Sequence, residues 1–218
     1  MPLPEHSLTL TGGCSCQSIR YKLSLPALSD RPPHPKTDPS FPLEPVRLPY
    51  TFTDQCNDCR KATSSILPAW ITVQIDAASA SLASPSTPQA QPERWRSGSA
   101  IFTGPAHKNQ ETKRPSTDVV KEEDTTLRFY ESSPGVWRGF CGRCGTPLTY
   151  WSAELPQVMD FALGTLDREF LDSEDLRPER HMWIGPGISW VKGWMEKVDK
   201  GAERHVEDDV NVRMRMGA

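Results

Sequence analysis

Six cysteines are the residues of this sequence best suited to chemistry, and they fall into three close pairs with none left over. The pairs are Cys14 with Cys16, Cys56 with Cys59, and Cys141 with Cys144. In the third pair a glycine follows each cysteine, so the chain turns tightly and directs both sulfurs at one point. That arrangement is half of a tetrahedral zinc site, and the spacing of the pairs predicts metal binding.

The remainder of the sequence favours metal ligands over disulfides. The N-terminus has no basic region followed by an apolar run, and no stretch of about 18 apolar residues occurs anywhere, so we expect a soluble, cytoplasmic protein. In a reducing compartment, paired cysteines bind metal more often than they form disulfides. With 36% hydrophobic residues and 21 prolines the core is expected to be modest, which makes a bound metal important for stability.

The net charge of −3 gives no electrostatic footprint for nucleic acid or for an anionic membrane. We therefore expect a small-molecule substrate as the partner, with neither nucleic acid nor membrane involved. The oligomeric state is left open by the sequence.

The number of cysteines suggests two metal sites of different kinds. A structural zinc site has four protein ligands, whereas a catalytic site has three and keeps one position open. If the first and later strands lie side by side, the closed structural site consists of Cys14, Cys16, Cys141 and Cys144. In the alternative that stays open, the middle pair completes a four-sulfur site instead.

The middle pair has a further candidate ligand beside it. Asp54 stands two residues before Cys56, and a carboxylate is a legitimate zinc ligand, so we expect Asp54, Cys56 and Cys59 to hold a second, catalytic zinc. A short helix is predicted to open at Cys59. Its N-terminus, together with Arg60 and Lys61, would lower the pKa of the Cys59 thiol.

Period-two patterns predict several half-buried strands and a mainly β fold with short helices. Because the cysteine pairs must meet, we expect a single domain, over residues 8–200. Strands are expected at 8–11, 19–25, 50–55, 67–75, 127–131, 136–140, 148–151 and 158–166, with a helix ending near 198. Two proline-rich or polar zones, about 26–49 and 77–126, are predicted to be long loop insertions, with a short ordered strand or turn at 95–102. Residues 201–218 are predicted to be a polar tail, and His107 to be solvated.

Some pocket residues are also suggested by the predicted strands. Arg60 is a catalytic candidate, and together with Lys61 it is placed to hold an anionic substrate group. Trp70 and Phe161 are candidates to wall the pocket, although Trp70 equally suits the core. His181 suits either a general base near the open metal position or, flanked by Met182 and Trp183, a packed core residue.

Five short motifs occur in order between about Leu8 and Trp194, interrupted by the two insertion zones. They are Gly12-Gly13-Cys14-x-Cys16, Cys56-x-x-Cys59-Arg60, Phe140-Cys141-x-x-Cys144-Gly145-Thr146-Pro147-Leu148, Gly164-Thr165-Leu166-Asp167 and His181-Met182-Trp183. In order and spacing they resemble the glutathione-dependent formaldehyde-activating enzyme family, which also includes centromere protein V.

The resemblance implies an Mss4-like fold, in which zinc pins small antiparallel sheets. It implies that the Cys-x-Cys and the late Cys-x-x-Cys make the structural site. The family's second site is a Cys-x-Cys-x-x-Cys, and here Asp54 replaces its first cysteine. Because a thiolate donates more electron density than a carboxylate, Asp54 should leave the metal harder and more Lewis acidic; in the alternative, the site binds zinc too weakly to fill.

The activity that the resemblance implies is that of a zinc-dependent carbon-sulfur lyase. In the family-type reaction, glutathione and formaldehyde combine reversibly into S-hydroxymethylglutathione. The two insertions favour a larger thiol-carbonyl adduct or a related, biosynthetic organic substrate. The alternative is a non-catalytic, zinc-stabilised protein-binding module, which needs only the closed site.

Overall fold

The computed structural model describes residues 3–36, 46–84, 95–102, 125–199 and 201–204, and within these ranges twelve strands form two sheets. The strands are β1 (Leu8–Gly13), β2 (Ile19–Leu25), β3 (Tyr50–Asp54), β4 (Ala69–Gln74), β5 (Ala78–Leu82), β6 (Arg96–Ser97), β7 (Leu127–Ser133), β8 (Val136–Cys141), β9 (Pro147–Ser152), β10 (Val158–Ala162), β11 (Arg180–Met182) and β12 (Glu203–Arg204). The α-helices are α1 (Asn57–Thr63), α2 (Gly98–Ile101), α3 (Arg168–Leu171) and α4 (Ser189–Val198). The predicted mainly β class is confirmed.

The smaller sheet has the order β1-β2-β5-β6, and the larger has the order β12-β11-β3-β4-β10-β9-β8-β7. All pairs are antiparallel except those of β11, which runs parallel to both β3 and β12. The expected antiparallel pairing therefore does not hold at β11. Strands β4 to β10 lie between β3 and β11 in the chain, so no hairpin turn imposes an antiparallel direction on this pair.

The main core lies where alternate side chains of both sheets meet. In β2, Ile19, Tyr21 and Leu23 are fully buried, as the period-two pattern predicts. In β4, Ile71 and Val73 join the same core, whereas Trp70 belongs to a second, smaller one. One face of the large sheet thus packs in the main core, and the candidate site lies on the opposite face.

The predicted insertion at 77–126 is wrong at its start, because Ala78–Leu82 form β5 inside the smaller sheet. Ala78 and Ala80 are buried, and a Cβ placed on Gly98 of α2 would lie 2.8 Å from the Cβ of Ala78. Small side chains are thus required by the close approach of α2, which is why the segment lacks an apolar strand pattern. The ordered element predicted at 95–102 forms β6 and α2.

Other parts of the two predicted insertions fall outside the described residues. These parts are 37–45, 85–94 and 103–124, and the last contains His107. Within the first zone, Leu28–Asp30 form a 3-10 turn and Pro33 bridges to Arg47.

The face of the large sheet opposite the main core carries a row of side chains at matched register across six adjacent strands. We call it the outer-face row; its members are Tyr50, Thr72, Asp160, Tyr150, Arg138 and Tyr130. Polar and aromatic residues share this row because it does not join the main core. Three of its members, Asp160, Tyr150 and Arg138, line the cavity of the candidate site.

No α-helix among the described residues is long and apolar enough to cross a membrane.

Candidate metal centres and the adjoining cavity

Four cysteine sulfurs form the first cluster, and all of them lie within 4.8 Å of one another. Its members are Cys14, Cys16, Cys141 and Cys144. The sulfur of Cys16 lies 3.5 Å from that of Cys14 and 3.7 Å from that of Cys141. A tetrahedral zinc with Zn–S bonds of about 2.3 Å separates its sulfurs by about 3.8 Å, so these cysteines fit a closed zinc site.

Two turns bring the first cluster together. Cys14 and Cys16 lie in the turn between β1 and β2, where a Cβ on Gly12 would come within 2.5 Å of the Tyr21 ring. Cys141 ends β8, and its carbonyl accepts a 2.8 Å hydrogen bond from the backbone N–H of Gly145. Gly145 has a φ of +77°, a value that favours glycine, so the glycine after the pair serves the turn.

The pKa values of the thiols in the first cluster are shifted in different directions, because their surroundings differ. Burial is the largest influence on Cys14 and raises the pKa of its thiol to about 12. At the exposed Cys144, desolvation acts in the same direction, but hydrogen bonds from Thr146 and the neighbouring cysteines outweigh it and lower the pKa to about 6. The Ser18 hydroxyl lies 3.0 Å from the sulfur of the half-buried Cys16 and forms a hydrogen bond with it.

The second cluster consists of Asp54, Cys56 and Cys59, with one carboxylate oxygen and both sulfurs within 4.8 Å of one another. Asp54 is the last residue of β3, and its Oδ1 accepts a 2.7 Å hydrogen bond from the backbone N–H of Cys56. Cys56 caps α1, with its sulfur accepting a 3.2 Å hydrogen bond from the N–H of Cys59. The end of β3 and the start of α1 therefore bring the three ligand atoms together.

The start of α1 corrects one prediction. The helix begins at Asn57, so the thiol at the helix N-terminus is that of Cys56 and not that of Cys59. A hydrogen bond from the Cys59 thiol lowers the pKa of Cys56. The interaction with Cys56, together with burial, raises the pKa of Cys59, the opposite of the predicted direction. Burial also raises the pKa of Asp54.

Arg138 joins the second cluster, and the sequence analysis did not identify it. Its side chain is 5% exposed, and its Nη2 donates a 3.3 Å hydrogen bond to the Cys59 sulfur. The guanidinium lies 5.0 Å from the centre of the Tyr150 ring. Burial disfavours the charged form, but the interaction with Cys59 outweighs it and raises the pKa of Arg138. An arginine in the middle of the otherwise apolar strand VWRGFC was the available signal.

The second cluster opens onto a cavity of about 320 Å³. Its lining residues are Phe52, Asp54, Cys56, Asn57, Asp58, Cys59, Trp70, Ser132, Ser133, Val136, Arg138, Tyr150, Asp160, Trp183 and Pro186. A neighbouring cavity of about 190 Å³, bordered by α1, β8 and β9, shares Trp70 and Arg138 with it. We call these the main cavity and the side cavity.

Of the four remaining predicted pocket residues, one lines the main cavity and three do not. Trp70 lines the main cavity, while Arg60 and Lys61 of α1 are not among its lining residues. Arg60 donates instead to the Asn57 side chain over 3.3 Å, and Lys61 is exposed. Phe161 is fully buried in the main core, because alternation along β10 directs its neighbour Asp160 to the outer face.

His181 lies on β11 and is 3% exposed. Its Nδ1 is 2.6 Å from the Thr53 hydroxyl oxygen, and its Nε2 is 3.4 Å from an Asp199 carboxylate oxygen. Burial lowers the pKa of His181 to about 4. Since it does not line the main cavity, the geometry agrees with the packed-residue interpretation and not with a general base.

Residues 94–186 match the sequence model of the family described as glutathione-dependent formaldehyde-activating enzyme. The resemblance predicted from the sequence is confirmed over this segment, which contains Cys141 and Cys144 but begins after the other four cysteines. No curated protein matches the chain.

Among solved structures, the chain is similar to a Rhodobacter sphaeroides protein whose crystal structure comes from a structural genomics programme. The two are 12% identical, with 75% of this chain and 96% of the other covered, and the TM-score is 0.35. A score this low does not establish a common fold.

Proposed function

We propose that this chain, which carries a segment matching the glutathione-dependent formaldehyde-activating family, is a zinc-dependent lyase-type enzyme. It catalyses the reversible addition of a thiol to a carbonyl compound. The sulfur forms a bond to the carbonyl carbon, the π bond of the carbonyl breaks, and the thiol proton ends on the oxygen. Glutathione is the thiol that the description of the family suggests.

One observation carries the proposal: a carboxylate oxygen and two sulfurs lie within 4.8 Å of one another at the wall of a cavity of about 320 Å³. Three protein ligands leave a zinc ion one open position, which is the pattern of catalytic sites. A cavity of this volume is at the small end of ligand pockets in proteins. The first cluster, with four sulfurs, has no such open position.

The donor atoms of Asp54, Cys56 and Cys59 suit zinc, which accepts both oxygen and sulfur ligands. When bound there, zinc supplies Lewis acidity toward a carbonyl oxygen or a thiol. The mixed set is harder than three thiolates, and that favours oxygen at the open position.

The residues around the second cluster orient the ligands and exclude water. Arg138 donates to the Cys59 sulfur and so holds this side chain in place with its negative charge compensated. Phe52, Trp70 and Tyr150 give the main cavity an aromatic wall. A dry wall strengthens every polar interaction between the protein and a bound substrate.

The test combines zinc content with adduct formation. Wild type and Cys56→Ser/Cys59→Ser are compared for zinc per chain by elemental analysis and for conversion of thiol plus aldehyde, measured by NMR exchange rates. Asp76→Asn, an exposed carboxylate on the connection between β4 and β5, is the matched control. We expect about two zincs per chain, falling to about one in the double variant together with loss of catalysis, because each cluster offers one site.

A different pattern of zinc content and activity would contradict the proposed enzyme. One zinc per chain in the wild type, unaffected by the double substitution, together with no rate above the spontaneous reaction, would refute the enzyme. The zinc-stabilised binding module would then remain, since the first cluster alone suffices to hold such a fold.

A further inference from the structure

Two buried donors beside the second cluster have no hydrogen-bond acceptor in the described part of the protein. They are Nη1 of Arg138 and Nε1 of Trp70, on side chains that are 5% and 2% exposed. A buried donor without an acceptor is destabilising, and more so when it is charged. Such groups are rare in folded proteins, and two of them at the wall of one cavity call for a partner that the protein itself does not supply.

Both donors belong to one wall. Trp70 and Arg138 line the main cavity and the side cavity alike, so they stand between the two. The two terminal nitrogens of Arg138 belong to one rigid, planar guanidinium, and its Nη2 already contacts the Cys59 sulfur at 3.3 Å. A group bound to Nη1 therefore lies immediately beside the second cluster.

The chemistry of the donors selects the group that they bind. An arginine guanidinium and an indole N–H donate and never accept, so the missing partner is an acceptor. Since Nη2 of Arg138 donates to Cys59 and Nε donates to Ser132, Nη1 offers one charge-assisted hydrogen bond, and the positive charge of the guanidinium favours an anionic acceptor such as a carboxylate. A main cavity of about 320 Å³ limits the carboxylate-bearing compound to a small one.

We propose that Arg138 and Trp70 bind the carboxylate of a small 2-oxo acid, which is the carbonyl substrate of the reaction. The inference rests on the proposed function and narrows its substrate class from simple aldehydes to carbonyl compounds that carry a neighbouring carboxylate. The thiol sulfur adds to the 2-oxo carbon, the carbonyl π bond breaks, and the thiol proton ends on the new hydroxyl. The product is a 2-hydroxy-2-thio acid, and no oxidant or reductant is consumed.

The kinetic test uses two aldehydes of similar size, glyoxylate and glycolaldehyde, which differ in whether the second carbon is a carboxylate or an alcohol. Wild type is expected to have at least a tenfold higher kcat/KM for glyoxylate, as for loss of a charged hydrogen bond of about 1.5–3 kcal/mol. Trp70→Phe should raise KM for glyoxylate about tenfold and lower the preference for glyoxylate over glycolaldehyde, measured as the ratio of kcat/KM values, by a similar factor. Trp190→Phe, at a tryptophan that is 63% exposed on α4, should change neither.

A binding test follows the indole directly, without turnover. Each of the seven tryptophans contributes one indole N–H signal, and Trp70→Phe assigns that of Trp70. Titration with glycolate should shift this signal, whereas ethylene glycol, which lacks the carboxylate, should not. Arg138→Lys, which keeps the charge but loses the planar guanidinium that positions Nη1, should weaken the glycolate response about tenfold.

The outcomes separate the two proposals. Equal kcat/KM for both aldehydes, or an unshifted Trp70 signal with KM unchanged in Trp70→Phe, would overturn the 2-oxo acid while leaving thiol addition intact. Absence of any catalysed addition together with a carboxylate-specific Trp70 shift would refute the proposed reaction and retain the carboxylate site.

Discussion

Nη2 of Arg138 donates a hydrogen bond over 3.3 Å to the sulfur of Cys59, joining the middle of β8 to the first turn of α1. The two residues are 79 positions apart in the chain, and both are buried. The guanidinium thus compensates charge at a candidate metal ligand, and both residues are only 5% exposed. Interactions of this kind orient metal ligands and tune their basicity.

Replacing Arg138 should weaken zinc binding at the second cluster and leave the first unaffected. We expect Arg138→Met to lower the second-site zinc affinity about 10- to 100-fold, as for other residues that support a metal ligand. Arg138→Lys should fall between this variant and wild type. Competition with a chromophoric chelator measures both sites, and Arg168→Met, at an exposed arginine paired with Asp172, is the control. An unchanged affinity in Arg138→Met would show that the contact is incidental.

The carboxylate in the second cluster can be tested in two directions. Asp54→Asn removes the charge and should reduce zinc occupancy at the second cluster to a minor fraction. Asp54→Cys gives three thiolates and should bind zinc at least about tenfold more tightly, because zinc favours the softer ligand. Zinc retention during dialysis against a chelator distinguishes them. Wild-type retention in Asp54→Asn would exclude the carboxylate as a ligand.

Loss of the first cluster should destabilise the whole fold. Cys144→Ser removes one of four sulfurs, and the free energy of binding a structural zinc is also folding free energy. We expect Tm to fall by about 10 °C or more, corresponding to several kcal/mol in a chain of this size. A chelator added to wild type should reproduce the change, and Cys56→Ser, at the second cluster, should lower Tm by less. Equal losses from both variants would contradict a purely structural first site.

His181 predicts a specific pH dependence of stability. Its pKa is lowered from about 6.5 in the unfolded chain to about 4 in the folded protein, so the unfolded chain binds the proton more readily. The stability contributed by the neutral ring is present above pH 6.5 and is lost as the pH falls toward 4. Between pH 7 and pH 5.5 this loss amounts to about 1 kcal/mol.

Replacing the imidazole of His181 should remove the part of the pH dependence of stability that this ring causes. His181→Gln is expected to reduce the fall in the free energy of unfolding between pH 7 and pH 5.5 by about 1 kcal/mol relative to wild type. His6→Gln, at an exposed histidine, is the control, and zinc content is measured in each sample so that metal loss is accounted for. Parallel pH profiles for wild type and His181→Gln would rule out the buried neutral ring as the cause.

The ligands of the second cluster were predictable because their grouping is local. A Cys-x-x-Cys turn and an aspartate two residues earlier bring three ligand atoms together by short-range geometry alone. Arg138 was not predictable in the same way, since its contact with Cys59 depends on the strand order that places β8 opposite α1. Strand β5 was not predictable either, because its alternating alanines and serines reflect the close approach of α2 and form no apolar pattern.

Strand β8 supports both clusters, and this limits how its length can change during evolution. Within three residues it supplies Arg138 to the outer face of the large sheet and Cys141 to the cluster at the main core. Because strand side chains alternate, deleting one residue between them would turn one of the two toward the wrong face. A change in the length of this interval would therefore remove either Cys141 from the first cluster or the Arg138 support of Cys59 from the second. Relatives that keep both centres should therefore align here without a gap.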